Sequence, residues 1–222
     1  MAHYDLEEQE QIDELKAWWK QYGNLVTGLV MAVALAVAGW QGWNLYRNQQ
    51  AGQSAAVFAA LEEALAANDP QRIKTLAGEL TERYAGTTQA ALGALMAAKV
   101  SFDAGDLKTA KLQLTWVVEK GKNEIRDIAR LRLVALLLDE KEFGEALKQL
   151  EEQHASAFDV RFAELKGEVL VAQGKKAEAR QAFKAAIAGL EAKETARGRM
   201  QTTRSIYREL LQQKLDALGE SA

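Results

Sequence analysis

The stretch LKGEVLVAQGKKAEARQAF, from Leu165 to Phe183, has the pattern of two helices joined by a tight turn. Gly174 marks the turn, because glycine adopts the left-handed backbone that ends a helix at little cost. The small Gly167 and Ala179 allow the two helices to approach closely, and the bulky Phe183 fills the remaining gap. The stretch therefore predicts one helix-turn-helix unit.

Two earlier stretches align with this unit when their turns are matched. Segments 105–110 and 141–146 place an alanine in register with Ala179, and the steps between copies are 36 and 33 residues. Other apolar positions keep the same steps, with Phe102, Leu138 and Val171 before the turn and Leu114, Leu150 and Phe183 after it. A period of about 34 residues is that of tetratricopeptide repeats. We therefore expect an all-α fold, an α-solenoid of stacked helix pairs.

The ends of the array are less regular. Ala98 and Val134 stand where the third copy has Gly167, and the helix pair within residues 55–84 fits the repeat only loosely. Residues 193–222 repeat nothing, but they carry an apolar stripe that could cover the last repeat. The stripe consists of Met200, Tyr207, Leu211 and Leu218. We expect a repeat domain over residues 55–192 and a C-terminal capping helix and tail over residues 193–222.

Before the array, the run from Gln21 to Tyr46 contains no charged residue. About 20 residues of helix span the hydrocarbon core of a bilayer, so the run predicts a transmembrane helix over residues 23–46. A buried core helix and a signal peptide cleaved near Ala36-Val37-Ala38 are the alternatives. Aromatic residues suited to the membrane interface flank the run. They are Trp18, Trp19, Tyr22, Trp40, Trp43 and Tyr46.

The segments on either side of this run differ in charge. Residues 1–22 form an acidic tail whose Ile12, Leu15 and Trp19 predict one face of an amphipathic helix. Residues 47–54 are polar and contain Gly52, which predicts a linker. Lys16 and Lys20 outnumber Arg47 near the ends of the span, so the positive-inside rule favours a cytoplasmic N-terminus, by two residues to one.

Composition excludes several classes of function. The first 20 residues carry six acidic and two basic side chains, which leaves 26 basic and 25 acidic for the rest. Nucleic-acid binding requires concentrated positive charge, so we expect none. The chain has no cysteine and two histidines, His3 and His154, without ligand or triad spacing. No phosphate loop or cofactor fingerprint is present, so we expect no cofactor, no metal site and no catalysis.

A repeat array instead offers a concave surface to a segment of another polypeptide. In the repeat alignment, the first helix of each pair forms that surface. The candidate binding residues are Leu95, Lys99, Phe102, Leu131, Leu138, Arg161, Glu164, Glu168 and Val171. Phe102, Leu138 and Val171 suggest an apolar floor. Two alternatives stay open, because these residues could belong to the core or be covered by the C-terminal helix.

Three stretches resemble the bacterial YfgM family of ancillary SecYEG translocon subunits. They are EQIDELKAWWKQYGN from Glu10 to Asn24, GWQGWNLYRNQQ at the end of the span, and the repeat that begins at Leu165. The resemblance runs from about Glu7 to Leu190. It implies an inner-membrane protein with a periplasmic repeat domain, which works beside SecYEG and the membrane-anchored chaperone PpiD. It further implies transfer of emerging secretory and outer-membrane proteins to periplasmic chaperones.

Two other functions fit the residues. The chain could be a repeat scaffold for another envelope machine, such as one for cell division or outer-membrane assembly. It could also regulate a cytoplasmic protein through its tail, a role that the resemblance links to restraint of a stress-response regulator.

Overall fold

The computed structural model describes residues 4–197 and 202–219, all of whose regular elements are helices. This confirms the all-α prediction. The chain divides into two compact units, residues 1–52 and 53–222. The helices are α1 (Tyr4–Ala66), α2 (Pro70–Arg83), α3 (Thr88–Asp103), α4 (Leu107–Lys120), α5 (Asn123–Asp139), α6 (Phe143–Glu151), α7 (Asp159–Ala172), α8 (Lys176–Arg197) and α9 (Thr202–Asp216), with a 3₁₀ turn, Ser156–Phe158, before α7.

The predicted span lies in α1, which is the one helix in the described residues that is long and apolar enough to cross a membrane. Only 6% of its apolar window is buried, so it is not a core helix of this fold. Helix α1 also continues through residues 47–54, where the sequence predicted a linker. Gly52 does not end it, because a single glycine costs a helix only ~1 kcal/mol. The boundary between the two compact units falls directly after Gly52.

Within the second unit, four turns have the same geometry. In each, one residue adopts a left-handed backbone, and the next N–H bonds to the carbonyl oxygen five residues before it, which is the Schellman ending of a helix. The left-handed residues are Asn68 (φ 52°), Gly105 (75°), Lys141 (61°) and Gly174 (77°). The hydrogen bonds are Asp69 to Ala64, Asp106 to Ser101, Glu142 to Leu137 and Lys175 to Leu170. The loosely fitting first pair is therefore a fourth unit in full register.

The paired helices fit together through side chains of matched size. Each pair has one buried position seven residues before the turn residue and one nine residues after it. These positions are occupied by Leu61 and Ala77, Ala98 and Leu114, Val134 and Leu150, and Gly167 and Phe183. The last pair leaves no room for a larger residue, since a Cβ added at Gly167 would lie 2.6 Å from the Phe183 ring. Five residues after the turn, Ala110, Ala146 and Ala179 are fully buried, as the repeat predicts. Ile73 takes this place in the first copy, which obscured the repeat in the sequence.

The predicted C-terminal cap begins inside a helix, because α8 extends to Arg197. Helix α9 then packs beside α8. Leu211 is fully buried, and Tyr207 and Leu218 pack against the same apolar cluster, which contains Phe183. Met200, the remaining residue of the predicted stripe, lies outside the described residues.

Candidate protein-binding surface

A row of exposed apolar side chains follows the ends of the first helices. Phe102 is 48% exposed and Val171 is 42% exposed, and Leu138 between them is half-buried. Each lies three residues before the left-handed turn residue. Leu65, 39% exposed, takes the same position in the first copy and lengthens the row. The sequence prediction missed it, although the Asn68-Asp69 turn, 37 residues before Gly105-Asp106, carried the signal.

One residue of the row, Phe102, borders a pocket of about 380 Å³ between α3 and α5. Two residues predicted for the binding surface, Lys99 and Phe102, line it. The pocket exists at this step because the exposed Ala135 stands where Lys99 stands one copy earlier, and a methyl group leaves the space open. The remaining lining residues are Ala98, Asp103, Leu114, Arg132, Leu136 and Asp139.

Two other predicted residues, Leu95 and Leu131, lie nearer the N-terminal ends of the same two helices, α3 and α5. Leu95 is 6% exposed and belongs to the core, so its prediction as a surface contact is corrected. It faces inward because the packing of α3 against its neighbours buries that side of the helix. Leu131 is half-buried and packs on the edge of the same core. Neither lines the pocket.

At α7, two residues of the predicted surface, Glu164 and Glu168, contact the C-terminal helix α9. Glu164 is completely buried and accepts hydrogen bonds from Lys214 (2.6 Å) and Tyr207 (2.5 Å), both on α9. Arg161 also donates to Glu164, and Lys214 donates to Glu168 as well. Glu164 is therefore not a surface contact in this structure, and α9 takes part in the contacts of Glu168. A buried carboxylate requires such partners, because an unpaired one is very costly.

These contacts set the charge states of the cluster. Burial raises the pKa of Glu164, but the hydrogen bonds from Lys214 and Tyr207 and the charge of Arg161 outweigh it and hold the pKa below its ordinary value. Burial and the bond to Glu164 raise the pKa of Tyr207 to about 12. Burial lowers the pKa of Lys214, but the two carboxylates outweigh burial and raise it. The cluster is therefore intact at neutral pH.

The aromatic residues at the ends of the predicted span are exposed on α1, all of them at least 43%. Trp18 and Tyr22 have ring centroids 5.8 Å apart, and Trp43 and Tyr46 are 6.0 Å apart. Their placement at a membrane interface stays a prediction.

Within residues 4–197 and 202–219, no group of three His, Asp or Glu side chains could hold a metal ion. His154 stacks on Phe162 with ring centroids 3.8 Å apart, and its Nε2 lies 3.3 Å from an Asp159 oxygen. The ring fixes the loop before α7, and its contacts are those of a packed side chain.

An exposed apolar helix and stacked helix pairs around a pocket define a membrane-anchored helical-repeat protein. The family described as "Tetratricopeptide repeat-like domain" matches residues 16–220. The chain belongs to the family of ancillary SecYEG translocon subunits. Its relative of that name from Neisseria gonorrhoeae is 34% identical and covers 96% of this chain and 98% of its own length.

Two further relatives carry the same name. The protein from Haemophilus influenzae is 28% identical over 82% of this chain and 90% of its own, and that from Escherichia coli is 25% identical over 81% and 87%. Among solved structures, MamA residues 41 to the end from Desulfovibrio magneticus RS-1 has a TM-score of 0.47 and 17% identity, covering 76% of this chain and 97% of that one. The repeat assignment rests on the family match and the four equivalent turns.

Proposed function

We propose that this chain is a membrane-anchored subunit of the Sec translocon that binds polypeptides through its repeat domain. The observation that carries the proposal is the pocket between α3 and α5, with the exposed Phe102 at its edge. Concave surfaces of stacked repeats bind extended segments of other proteins. The relatives' name supports a location at the translocon, since all three are ancillary SecYEG translocon subunits.

The client polypeptides are proteins that emerge from the translocon. In this proposal the repeat domain holds an emerging segment briefly and passes it to periplasmic chaperones, with PpiD as the neighbouring partner. The balanced charge of the chain after residue 20 supports protein binding over nucleic-acid binding, since 26 basic side chains face 25 acidic ones. The proposal assigns no catalytic step to the chain.

The proposed topology follows the segments predicted from the sequence. Residues 1–22 lie in the cytoplasm, residues 23–46 cross the inner membrane, and residues 55–222 lie in the periplasm. The exposed apolar face of α1 supports the membrane span, and the excess of Lys16 and Lys20 over Arg47 supports the orientation.

Topology provides the first test. Alkaline phosphatase fused after Ala222 folds only in the periplasm, and we expect an active fusion. A fusion before Met1 is the matched control and should be inactive. Activity of the N-terminal fusion alone would contradict the periplasmic account.

Copurification provides the second test. The tagged full-length chain, extracted from native membranes after crosslinking, should recover SecYEG subunits and PpiD. Recovery of cell-division or outer-membrane assembly proteins in their place would favour the scaffold function. Recovery of cytoplasmic regulators through residues 1–22 alone would favour regulation by the tail.

A further inference from the structure

The pocket between α3 and α5 has an apolar floor and a charged rim. Ala98, Leu114 and Leu136 are buried beneath it, and Phe102 forms one side. Its volume, about 380 Å³, lies in the range of binding clefts, roughly 300–1,000 Å³. A side chain such as Leu or Phe that entered the pocket would leave water for apolar surroundings, which is favourable.

The two sides of the rim differ in how their charges are neutralised. On α3, Lys99 donates a hydrogen bond to Asp103 at 2.6 Å, so the two charges on this side of the rim neutralise each other. On α5, Arg132 and Asp139 are exposed, and neither has an ion-pair partner among the described side chains. The α5 side therefore presents one free positive charge and one free negative charge.

The spacing of these two charges is set by the helix. Arg132 and Asp139 are seven residues apart, which is two turns, so they share a face at a separation of ~10 Å along the axis. An extended polypeptide advances ~3.3 Å per residue, so about three residues cover the same distance. Between the charges lies Ala135, whose small side chain leaves the pocket open.

We propose that this pocket binds an extended polypeptide segment in which one bulky apolar residue lies between an acidic and a basic residue about three positions apart. The apolar residue enters the pocket, the acidic residue pairs with Arg132 and the basic residue pairs with Asp139. Either chain direction satisfies this arrangement. The inference rests on the proposed polypeptide-binding function and adds the chemistry of the segment that is bound.

Three fluorescent peptides of equal length test the charge pattern. Each carries one Leu between two charged residues that are three positions apart, and these are Asp and Lys, two Asp, or two Lys. Their affinities are measured by anisotropy for the full-length protein in detergent micelles. Exposed ion pairs are weak, and each doubly charged peptide exchanges one attractive pair for a repulsive one. We therefore expect the Asp/Lys peptide to bind about fivefold more tightly than the others.

Single charge reversals give the sharper result. In Asp139→Arg both free charges are positive, so the two-Asp peptide should become the tightest binder. In Arg132→Asp both are negative, and the two-Lys peptide should become the tightest. Equal binding of the three peptides to the unaltered protein, an unchanged order in the variants, or no binding of any peptide would each overturn the inference.

Filling the pocket tests where the central Leu binds. Ala135→Phe should weaken all three peptides about tenfold, the order expected when one apolar side chain loses its burial. Ala185→Phe, at an exposed site on α8, is the matched control and should change nothing. If Ala135→Phe fails to fold by circular dichroism, Phe102→Ser provides the same readout. Full binding by a folded pocket variant would overturn the proposed site.

Failure of this inference about the pocket can be distinguished from failure of the proposed function. If the peptides show no charge preference but the full-length chain still recovers SecYEG subunits, the inference fails and the function stands. If the charge preference appears but no translocon subunit is recovered, the pocket is a polypeptide site at another machine.

Discussion

The array has an open step, from α3 to α5, and a closed step, from α7 to α9. Equivalent positions of the first helices leave a pocket at the open step and bind side chains of α9 at the closed step. Six residues before the turn, the first step has Lys99 and Ala135, and the second has Glu168. At the first step the small Ala135 leaves a pocket open between the helices. At the second step Glu164 and Glu168 bind side chains of α9, and that end of the array is closed.

The difference shows that the repeat backbone does not by itself determine where a partner binds. All four turns have one left-handed residue at the same position and the same helix ending. What differs is the side chain at a few positions on the first helices. An alanine opens the surface, and a buried glutamate with three partners closes it. Substitutions at the open step are therefore expected to cost little unfolding free energy, and those at the closed step to cost more.

The largest contrast is expected between equivalent core residues of the two regions. Phe183→Ala leaves a cavity beside Gly167 at the closed end and should cost ~4 kcal/mol of unfolding free energy. Leu114→Ala, at the equivalent position beneath the open pocket, should cost ~2 kcal/mol, because water can enter the space it leaves. Urea unfolding of the full-length protein in micelles measures both. A larger cost for Leu114→Ala would contradict the expected difference between the open and the closed step.

A second contrast concerns the ion cluster. Lys214→Met leaves the buried Glu164 without one of its charged partners and should cost ~2 kcal/mol, since a hydrogen bond to a charged group is worth ~1.5–3 kcal/mol. Lys148→Met is the control, because Lys148 is exposed and its nearest Glu145 oxygen is 3.7 Å away. The control should change stability by less than ~0.5 kcal/mol. Equal effects of the two substitutions would show that the closed end is not held by charge.

A third contrast is the dependence of stability on pH. The pKa of Glu164 is lower in the folded protein than its ordinary value of 4.5, so its contribution is present above pH 4.5 and is lost as the pH falls through the folded pKa. The stability difference between the unaltered protein and Glu164→Gln should therefore shrink below pH 4.5. A difference that stays constant from pH 6 to pH 3 would contradict the assignment.

Tyr207 gives the corresponding alkaline effect. Its folded pKa is about 12 and its ordinary value is 10.0, so the stability it contributes is complete below pH 10 and is lost as the pH rises toward 12. Tyr207→Phe should lack this loss, as thermal melts between pH 9 and pH 11.5 can show.

The sequence predicted the repeat fold because its signals are local. Turn residues and small-to-large packing recur at a fixed period, and Ala110, Ala146 and Ala179 are buried as that period requires. The first copy was harder to recognise because Ile73 replaces the alanine. The linker over residues 47–54 was predicted from polar composition, but a long helix tolerates polar residues and one glycine.

The binding surface was predictable only in part. Lys99 and Phe102, which follow from the repeat register, line the pocket, and their role in binding stays a prediction. For Glu164 the sequence left open that the C-terminal helix covers it. It could not identify the partners, since Tyr207 and Lys214 are 43 and 50 residues later in the chain. Arg132 and Asp139 were missed because a charged residue on a helix is usually only a solvated one.

The smallest effect on stability is expected at the row of exposed residues. Phe102→Ser removes a side chain that is already 48% exposed and should cost less than ~1 kcal/mol. Leu138→Ser should cost more, because Leu138 is half-buried against the core. Urea unfolding again measures both variants. Global unfolding of Phe102→Ser would place Phe102 in the core and remove it from the binding surface.

The most direct test of polypeptide binding at the open step is photocrosslinking in native membranes during export of a secretory protein. A photoreactive amino acid at Phe102 should form adducts with the emerging chain. The same group at Leu112, which is 62% exposed on α4 and does not line the pocket, should form few. Adducts at Leu112 that equal or exceed those at Phe102 would contradict the account.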